Sequence, residues 1–526
     1  MSHRLGPAAS ATASPSPHPA AGGPQGRKRG ASAWLLPLFV TLAPLPAQPT
    51  APLAHLGLPA SVRALSLSVN DEPAPRTCAA WAQQAGLNLL VLDVPPQAAL
   101  DQVAAWLDAA AAVGLGVALR AEPGDAHRAA QALVQRCAAH PALTAWAVTG
   151  DAREAVRCFR AARPARPVLG WWFDADASAA HAAGVDVLVG AAGALYQPAL
   201  SYGGWARWLA AQRASFGGPV LAAVECTPPA DSAPLTCGEA ALVPEPAQIR
   251  LQTLAALGAG ARGVVFGGAR HLFGDGPLAR AATDRAAAVV QLAEELRRVE
   301  PWLAAGEPLF PLVASPGLAA GQWRLGERRL VVSWRDRRLD SRLVGAAPVS
   351  PAWVAAQPAP GPGERVDLLT PTGLLTRGAD QRLSCPEVDL GALWVLGPAH
   401  EEHTAWRTTT AQGLAGALPA VVARSVLLAG ARLAKVESTV RRLEAVGRSA
   451  GGRAPLAAAH TLLLEATEAQ RYGYLQSAWD LATAAERLTR SAQALEFEAA
   501  LTAAGTGGGA LPYTTFATLP HLFERR

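Results

Sequence analysis

Lysine is nearly missing from this chain, occurring only at Lys28 and Lys435, and methionine occurs once. Ala and Arg are heavily used instead, the bias of a high-GC genome, so alanine richness by itself says little about structure. Charge is also sparse: 17% of the 526 residues are Asp, Glu, Lys or Arg, against 50% apolar. That balance excludes a disordered chain, and the Gly and Pro content, without a triplet period, excludes a collagen-like one. Two to four domains fit this length at about 100 to 200 residues each. Acidic residues are absent before residue 48, where Arg4, Arg27, Lys28 and Arg29 sit. Setting those four of the 46 cations aside leaves 42 basic against 41 acidic residues. Nearly all of the formal charge of +5 therefore belongs to the leader, and the near-neutral body has no footprint for DNA or RNA, so no nucleic-acid partner is expected.

Long apolar runs are lacking too. Residues 33–43 are apolar but interrupted by Pro37, too short for a span of about 20 residues. With the basic cluster before them and Leu45-Pro46-Ala47-Gln48 after, they read as a signal peptide over residues 1–47. A low-complexity tail is the other reading of the same composition. No second run of spanning length is expected, so the mature chain is expected to be secreted or periplasmic, with no stable membrane span after signal removal. The six cysteines are Cys78, Cys137, Cys158, Cys226, Cys237 and Cys385. In an oxidising compartment they are allowed to pair, and Cys226 and Cys237, flanking residues 227–232, are the best-placed pair. No CxxC pair and no Cys/His cluster with zinc spacing occurs, so no metal is expected.

From about residue 60 short Val- and Leu-rich runs alternate with longer amphipathic segments, the pattern of parallel strands joined by helices. The runs are residues 64–69, 87–94, 116–121, 144–149, 167–173, 185–189, 219–226 and 263–267. Helical stretches such as 100–113, 127–139, 154–162, 205–215 and 246–257 lie between them, with Gly86, Gly114, Gly184 and Gly260 placed as C-caps. Eight units over roughly 240 residues match a (β/α)8 TIM barrel, placed here at residues 60–305. A doubly wound sheet is the rival, but the first turn, Val69-Asn70-Asp71-Glu72-Pro73, has neither GxGxxG nor Walker glycines. A nucleotide cofactor therefore lacks its cradle, and no cofactor is expected.

Function in such a barrel sits at the C-terminal ends of the strands. Those ends carry Asp71, Asp93, Glu122, Asp151, Trp171, Trp172, Asp174, Glu225 and His271. Carboxylates and indoles on one rim suit a sugar, because indole faces stack on sugar rings while two opposed carboxyls cleave a glycosidic bond.

Residues 140–151, His-Pro-Ala-Leu-Thr-Ala-Trp-Ala-Val-Thr-Gly-Asp, resemble the HPALxGWYxxDEP segment of glycoside-hydrolase-like barrels in the clan that includes the family 42 β-galactosidases. Residues 260–266, Gly-Ala-Arg-Gly-Val-Val-Phe, with Val299-Glu300-Pro301-Trp302-Leu303 after the next helix, look like the close of the same barrels. The resemblance covers roughly residues 60–305 and rests more on strand order than on an invariant motif. It implies an acid/base on strand four and a nucleophile ending strand seven, which map onto Asp151 and Glu225. Glu225 matches the clan in type and place. Asp151 matches only in place, because Gly150-Asp151 stands where the clan has Asn-Glu, which puts in doubt both the reach of the proton donor and the contact to the sugar 2-hydroxyl. Asp71, Asp93, Glu122, Trp171, Trp172, Asp174 and His271 are the candidate substrate contacts. Each has a plainer reading beside it: Asp151 as N-cap of the following helix, Glu225 as the partner of an arginine, one or both tryptophans as packing, His271 in a solvated loop.

After Trp302 the periodicity shortens, with alternating runs at 322–325, 329–334, 365–369 and 392–396, which predicts a small antiparallel β-sandwich domain at residues 306–398. From residue 403 to 526 the chain is predicted helical, with amphipathic runs at 419–446 and 455–500 joined by residues 447–452, an α-helical hairpin open to a protein partner. The expectation is a secreted glycoside-hydrolase-like protein cleaving O-glycosidic bonds in polysaccharide or glycoconjugate. The alternative is a non-catalytic extracytoplasmic scaffold that binds a glycan or a protein on a degenerate glycosidase barrel.

Overall fold

The computed structural model describes residues 53–70, 74–95, 100–121, 126–150, 152–173, 177–191, 201–226, 244–268, 272, 279–337, 344, 348–377, 382–503 and 516. Eight parallel strands close into a barrel in chain order. They are β1 (Val62–Ser68), β2 (Leu89–Val94), β3 (Gly116–Ala121), β4 (Leu143–Thr149), β5 (Val168–Trp172), β6 (Val187–Gly190), β7 (Val220–Val224) and β8 (Gly263–Gly267), with β1 and β8 paired to complete the ring. Among the described residues nine helices accompany them: α1 (Pro75–Gln84), α2 (Leu100–Ala112), α3 (Ala126–Cys137), α4 (Arg153–Ala161), α5 (Ser178–Ala182), α6 (Tyr202–Phe216), α7 (Pro246–Gly258), α8 (Ala279–Arg298) and α9 (Glu300–Ala305). The fold is the TIM barrel that the alternation predicts.

Strand residues alternate between two buried environments, which is why the runs read as continuously apolar. Val91, Ala118, Ala147, Leu169, Val189, Leu221 and Val265 fill the barrel interior, and Leu53 and Leu58, just ahead of β1, join that cluster. Leu92, Trp146, Leu188, Val264 and Phe266 face outward and pack beneath the helices. Helix α7 is buried on nearly all sides, as an apolar helix must be when it is covered from both directions.

Its outer cover is the second domain. Strands β9 (Glu307–Leu309), β10 (Leu318–Leu325), β11 (Arg328–Arg335), β13 (Glu364–Leu369), β14 (Leu374–Arg377) and β16 (Gly391–Pro398) form an antiparallel sheet in the order β14-β13-β16-β11-β10-β9. The short pair β12 (Ala352–Val354) and β15 (Leu383–Cys385) closes over it, with Val354, Leu383, Val331, Val366 and Trp394 in one core. Against the barrel, the Trp323 indole N–H donates to the Leu257 carbonyl at 2.9 Å. Gly321 is obligatory there: a Cβ on it would lie 1.9 Å from the Gly258 carbonyl oxygen.

The C-terminal region is α10 (Glu401–Ala445), α11 (Arg453–Arg471) and α12 (Leu475–Ala503). The run expected at 455–500 divides at Gly473, which takes φ +81°, so the hairpin is α11 with α12, folded against α10. Helix α10 also starts well before Pro419 and runs through it. Tertiary contacts outweigh the proline: the Trp406 indole lies edge-on to Trp302 and donates to the Arg298 carbonyl at 3.2 Å, while Arg424 pairs with Glu294 at 2.6 Å. By length and composition alone α10 is apolar enough to cross a membrane, which the sequence reading does not anticipate; 22% of its most apolar window is buried.

The first turn of α10 is fixed by a wholly buried carboxylate. Asp367 on β13 accepts the Thr376 hydroxyl at 3.0 Å, meets His403 Nε2 at 3.2 Å and forms an ion pair with Arg407, whose Nε lies 2.8 Å away. Burial alone would raise its pKa, but these partners outweigh burial and hold it below the usual carboxylate range. A depressed folded pKa contributes stability that is complete above the unfolded value of about 4 and fades as pH falls through the folded value. Asp367→Ala should therefore lower the unfolding free energy by about 3 kcal/mol near neutral pH, because it strands the Arg407 guanidinium and leaves the buried His403 ring without this acceptor. In urea titrations across pH, the gap between wild type and variant should narrow on acidification.

Candidate active site

Strand alternation decides which side chains reach the barrel mouth. Asp93 has the parity of Val91, Arg120 that of Ala118, Thr149 that of Ala147, Trp171 that of Leu169 and Glu225 that of Leu221, all of them interior positions. Neighbouring registers place Asp93 beside Arg120 and Thr149 beside Trp171. Arg120 donates through Nε to Asp93 Oδ1 and through Nη2 to Oδ2, both at 2.5 Å, a bidentate pair with less than a fifth of either side chain exposed. The Arg120 guanidinium lies 4.4 Å from the centre of the Trp171 ring. Asp93, Arg120 and Trp171 thus form one stack across β2, β3 and β5.

The two tryptophans divide as alternation requires. Trp171 is 4% exposed, inside the barrel and covered by Arg120. Trp172 is equally buried but belongs to the layer between barrel and helices, so its indole is packing rather than a rim platform.

Glu225 follows β7 directly and is half-buried. Its backbone is clamped by a wholly buried side chain on α7: the Glu225 N–H donates to Gln252 Oε1 at 3.1 Å, and Gln252 Nε2 donates to the Glu225 carbonyl at 3.4 Å. Around the ring it stands two strands from Trp171 and three from Asp93. The next residue, Cys226, is a free buried thiol; Cys237, the partner expected for it, lies outside the described residues. Burial pushes the Cys226 thiol up to about 12; Arg285 opposes and Glu225 reinforces this. A thiol so poised stays protonated and is no nucleophile.

Asp71, Glu122, Asp151, Asp174 and His271 lie outside the described residues. What surrounds Asp151 is informative nonetheless. The N-cap of α4 is Ala152. Gly150 takes φ +63° and donates its N–H to the Trp171 carbonyl at 3.0 Å. That left-handed backbone suits glycine and asparagine best, which rationalises a glycine where the resembled clan has asparagine. Among the described residues no group of three or more His, Cys, Asp or Glu is gathered as for a metal.

Two residues of the mouth escape a reading of strand ends alone. Arg120 is a lone charge in an apolar strand at inward parity, opposite an aspartate in register, and both signals are in the sequence. Gln252 recurs four residues after Gln248 in a largely apolar helix, a spacing that marks one helical face.

No family model matches the chain, and no curated protein does. Among solved structures, it is similar to a GH27 β-L-arabinopyranosidase from Geobacillus stearothermophilus, at 10% identity, covering 66% of this chain and 99% of that one, with a TM-score of 0.41. It is similar to an alpha-amylase from Lactobacillus plantarum at 11% identity, 64% and 98% coverage and a TM-score of 0.39. A truncated 3-deoxy-D-arabino-heptulosonate 7-phosphate synthase from Thermotoga maritima gives 11% identity, 45% and 88% coverage and a TM-score of 0.32. Likenesses this distant carry no argument about activity, and the barrel rests on its own strand pairing.

Arg120→Leu should remove the bidentate partner of the largely buried Asp93 and cost about 3 kcal/mol. The Asp93→Leu/Arg120→Leu double variant should recover a good part of that loss. A double-mutant cycle in urea should give a coupling energy above about 1 kcal/mol.

Proposed function

We propose that this chain is a secreted glycoside-hydrolase-like protein whose chemistry is centred on Glu225 at the barrel mouth. The observation that carries the reading is the placement of Glu225: interior parity, half-buried, at the C-terminal end of strand seven, its backbone held by Gln252. A carboxylate so fixed approaches a bound ring from one direction, as nucleophilic attack at an anomeric carbon requires. The resemblance of residues 140–151 and 260–266 to the family 42 clan supplies the second role, with Asp151 as proton donor. In the first step a Glu225 oxygen bonds to the anomeric carbon as the glycosidic C–O bond breaks, and the leaving oxygen takes the Asp151 proton. In the second, water gives its proton to Asp151 and displaces Glu225. That two-step route retains configuration and requires the two carboxyls about 5 to 5.5 Å apart; at about 6.5 to 9.5 Å Glu225 would act instead as general base on a water that displaces the leaving group in one step, with inversion. In this reading Asp93 and Arg120 shape the mouth, since each neutralises the other.

The alternative is a glycan- or protein-binding scaffold without turnover. It is favoured by the shorter acid at 151 and by Arg120, which occupies a face of Trp171. The α10–α12 helices would be the protein-binding element.

Hydrolysis of mixed plant and bacterial glycans, read as released reducing ends, separates the two. The hydrolase reading expects Glu225→Gln to lose roughly 10³-fold or more of the wild-type rate. Equal trace release by both proteins, with glycan still bound, would leave the scaffold.

A further inference from the structure

Away from the mouth, where α7 and α8 meet the sheet domain and the helices α10 and α12, the protein forms a half-open cavity of about 330 Å³. It falls within the size range of small-molecule sites, roughly 300 to 1,000 Å³. Leu292, Leu369, Val388 and Leu428 give it apolar walls, and the half-buried Trp479 stands at one side. Acidic and basic side chains are equally numerous in the lining.

Most of those charges are already spent on one another. Arg432 pairs with Glu245 and with Glu486, the latter at 2.9 Å. Arg487 pairs with Glu387 and lies 3.5 Å from Asp389, and Arg250 holds Glu295 at 2.7 Å. Asp284 on α8 differs: among the described residues no side chain bonds or pairs with it directly, and Lys435, Arg285 and Arg432 act on it from further off. Burial dominates and raises its carboxyl to about 6, so it accepts a hydrogen bond when ionised and donates one when protonated. Lys435 is only loosely engaged, 3.9 Å from Glu245.

We propose that this cavity is a second binding site, separate from the barrel mouth, for a neutral polyhydroxylated ring such as a mono- or disaccharide. A balanced lining gives no net reward to a charged guest. Asp284 offers an open hydrogen-bonding carboxyl, Lys435 an ammonium with spare donors, and Trp479 an apolar face; a sugar ring presents both hydroxyls and an apolar C–H face to such a set. The inference does not depend on turnover at Glu225.

Isothermal titration of the full chain with glucose, galactose, maltose and lactose tests it, with glutamate and putrescine as charged controls. At least one neutral sugar should bind at millimolar concentration or below. Asp284→Asn and Trp479→Ala should each weaken that binding roughly 10- to 100-fold, and Glu225→Gln should leave it unchanged. Hydrogen exchange on the wild type guards against a misfolded variant: the bound sugar should slow exchange in α8 and α12. Binding abolished by Glu225→Gln, protection confined to the barrel loops, preference for a charged control, or no sugar bound at millimolar concentration would each overturn the proposal.

Discussion

The enclosure of α7 is the constraint on which the rest of the structure depends. A helix buried on nearly all sides cannot be left on a barrel's surface, so the barrel is incomplete without the sheet that covers it. Contact between Gly258 and Gly321 brings that sheet to backbone distance, and Trp323 bonds to the helix end. Because α7 is fixed, its Gln252 is fixed, and through Gln252 so is the backbone of Glu225. The β domain, which touches no substrate in this picture, thereby sets the position of the residue proposed to do the chemistry.

The same helix joins the third region to the first two. Glu245, ahead of its first turn, receives Arg432 from α10 and Gln493 from α12, the latter at 2.8 Å. Burial works against its charge, but Arg432, Lys435 and Gln493 outweigh burial and keep its pKa low. Gln248 accepts the Glu245 N–H at 2.8 Å and completes the helix start. The C-terminal helices are therefore part of the support of α7, and the cavity beside Asp284 exists because three regions converge there.

Much of the fold is legible in the sequence because parallel strands buried on both faces must be apolar throughout, and the observed ends fall within two residues of the periodic runs. The expected start of α10 fails for a physical reason: Pro419 looks like a helix beginning, yet the His403–Asp367 and Trp406–Trp302 contacts fall between residues far apart in the chain and extend the helix past it. The break at Gly473 is hidden in a continuous amphipathic pattern and shows only as a left-handed glycine. At the mouth, Glu225 is readable from its place after strand seven. Arg120 requires parity and register together, and the burial of Trp171 and Trp172 cannot be read from their presence at a strand end.

The crystallographic distance between the Asp151 and Glu225 carboxyl groups tests whether this mouth can cleave a glycosidic bond. A separation of about 5 to 9.5 Å, with both groups open to one cleft, is predicted. Carboxyls further apart, or one turned away into the protein, would contradict the hydrolase reading and leave a barrel that binds.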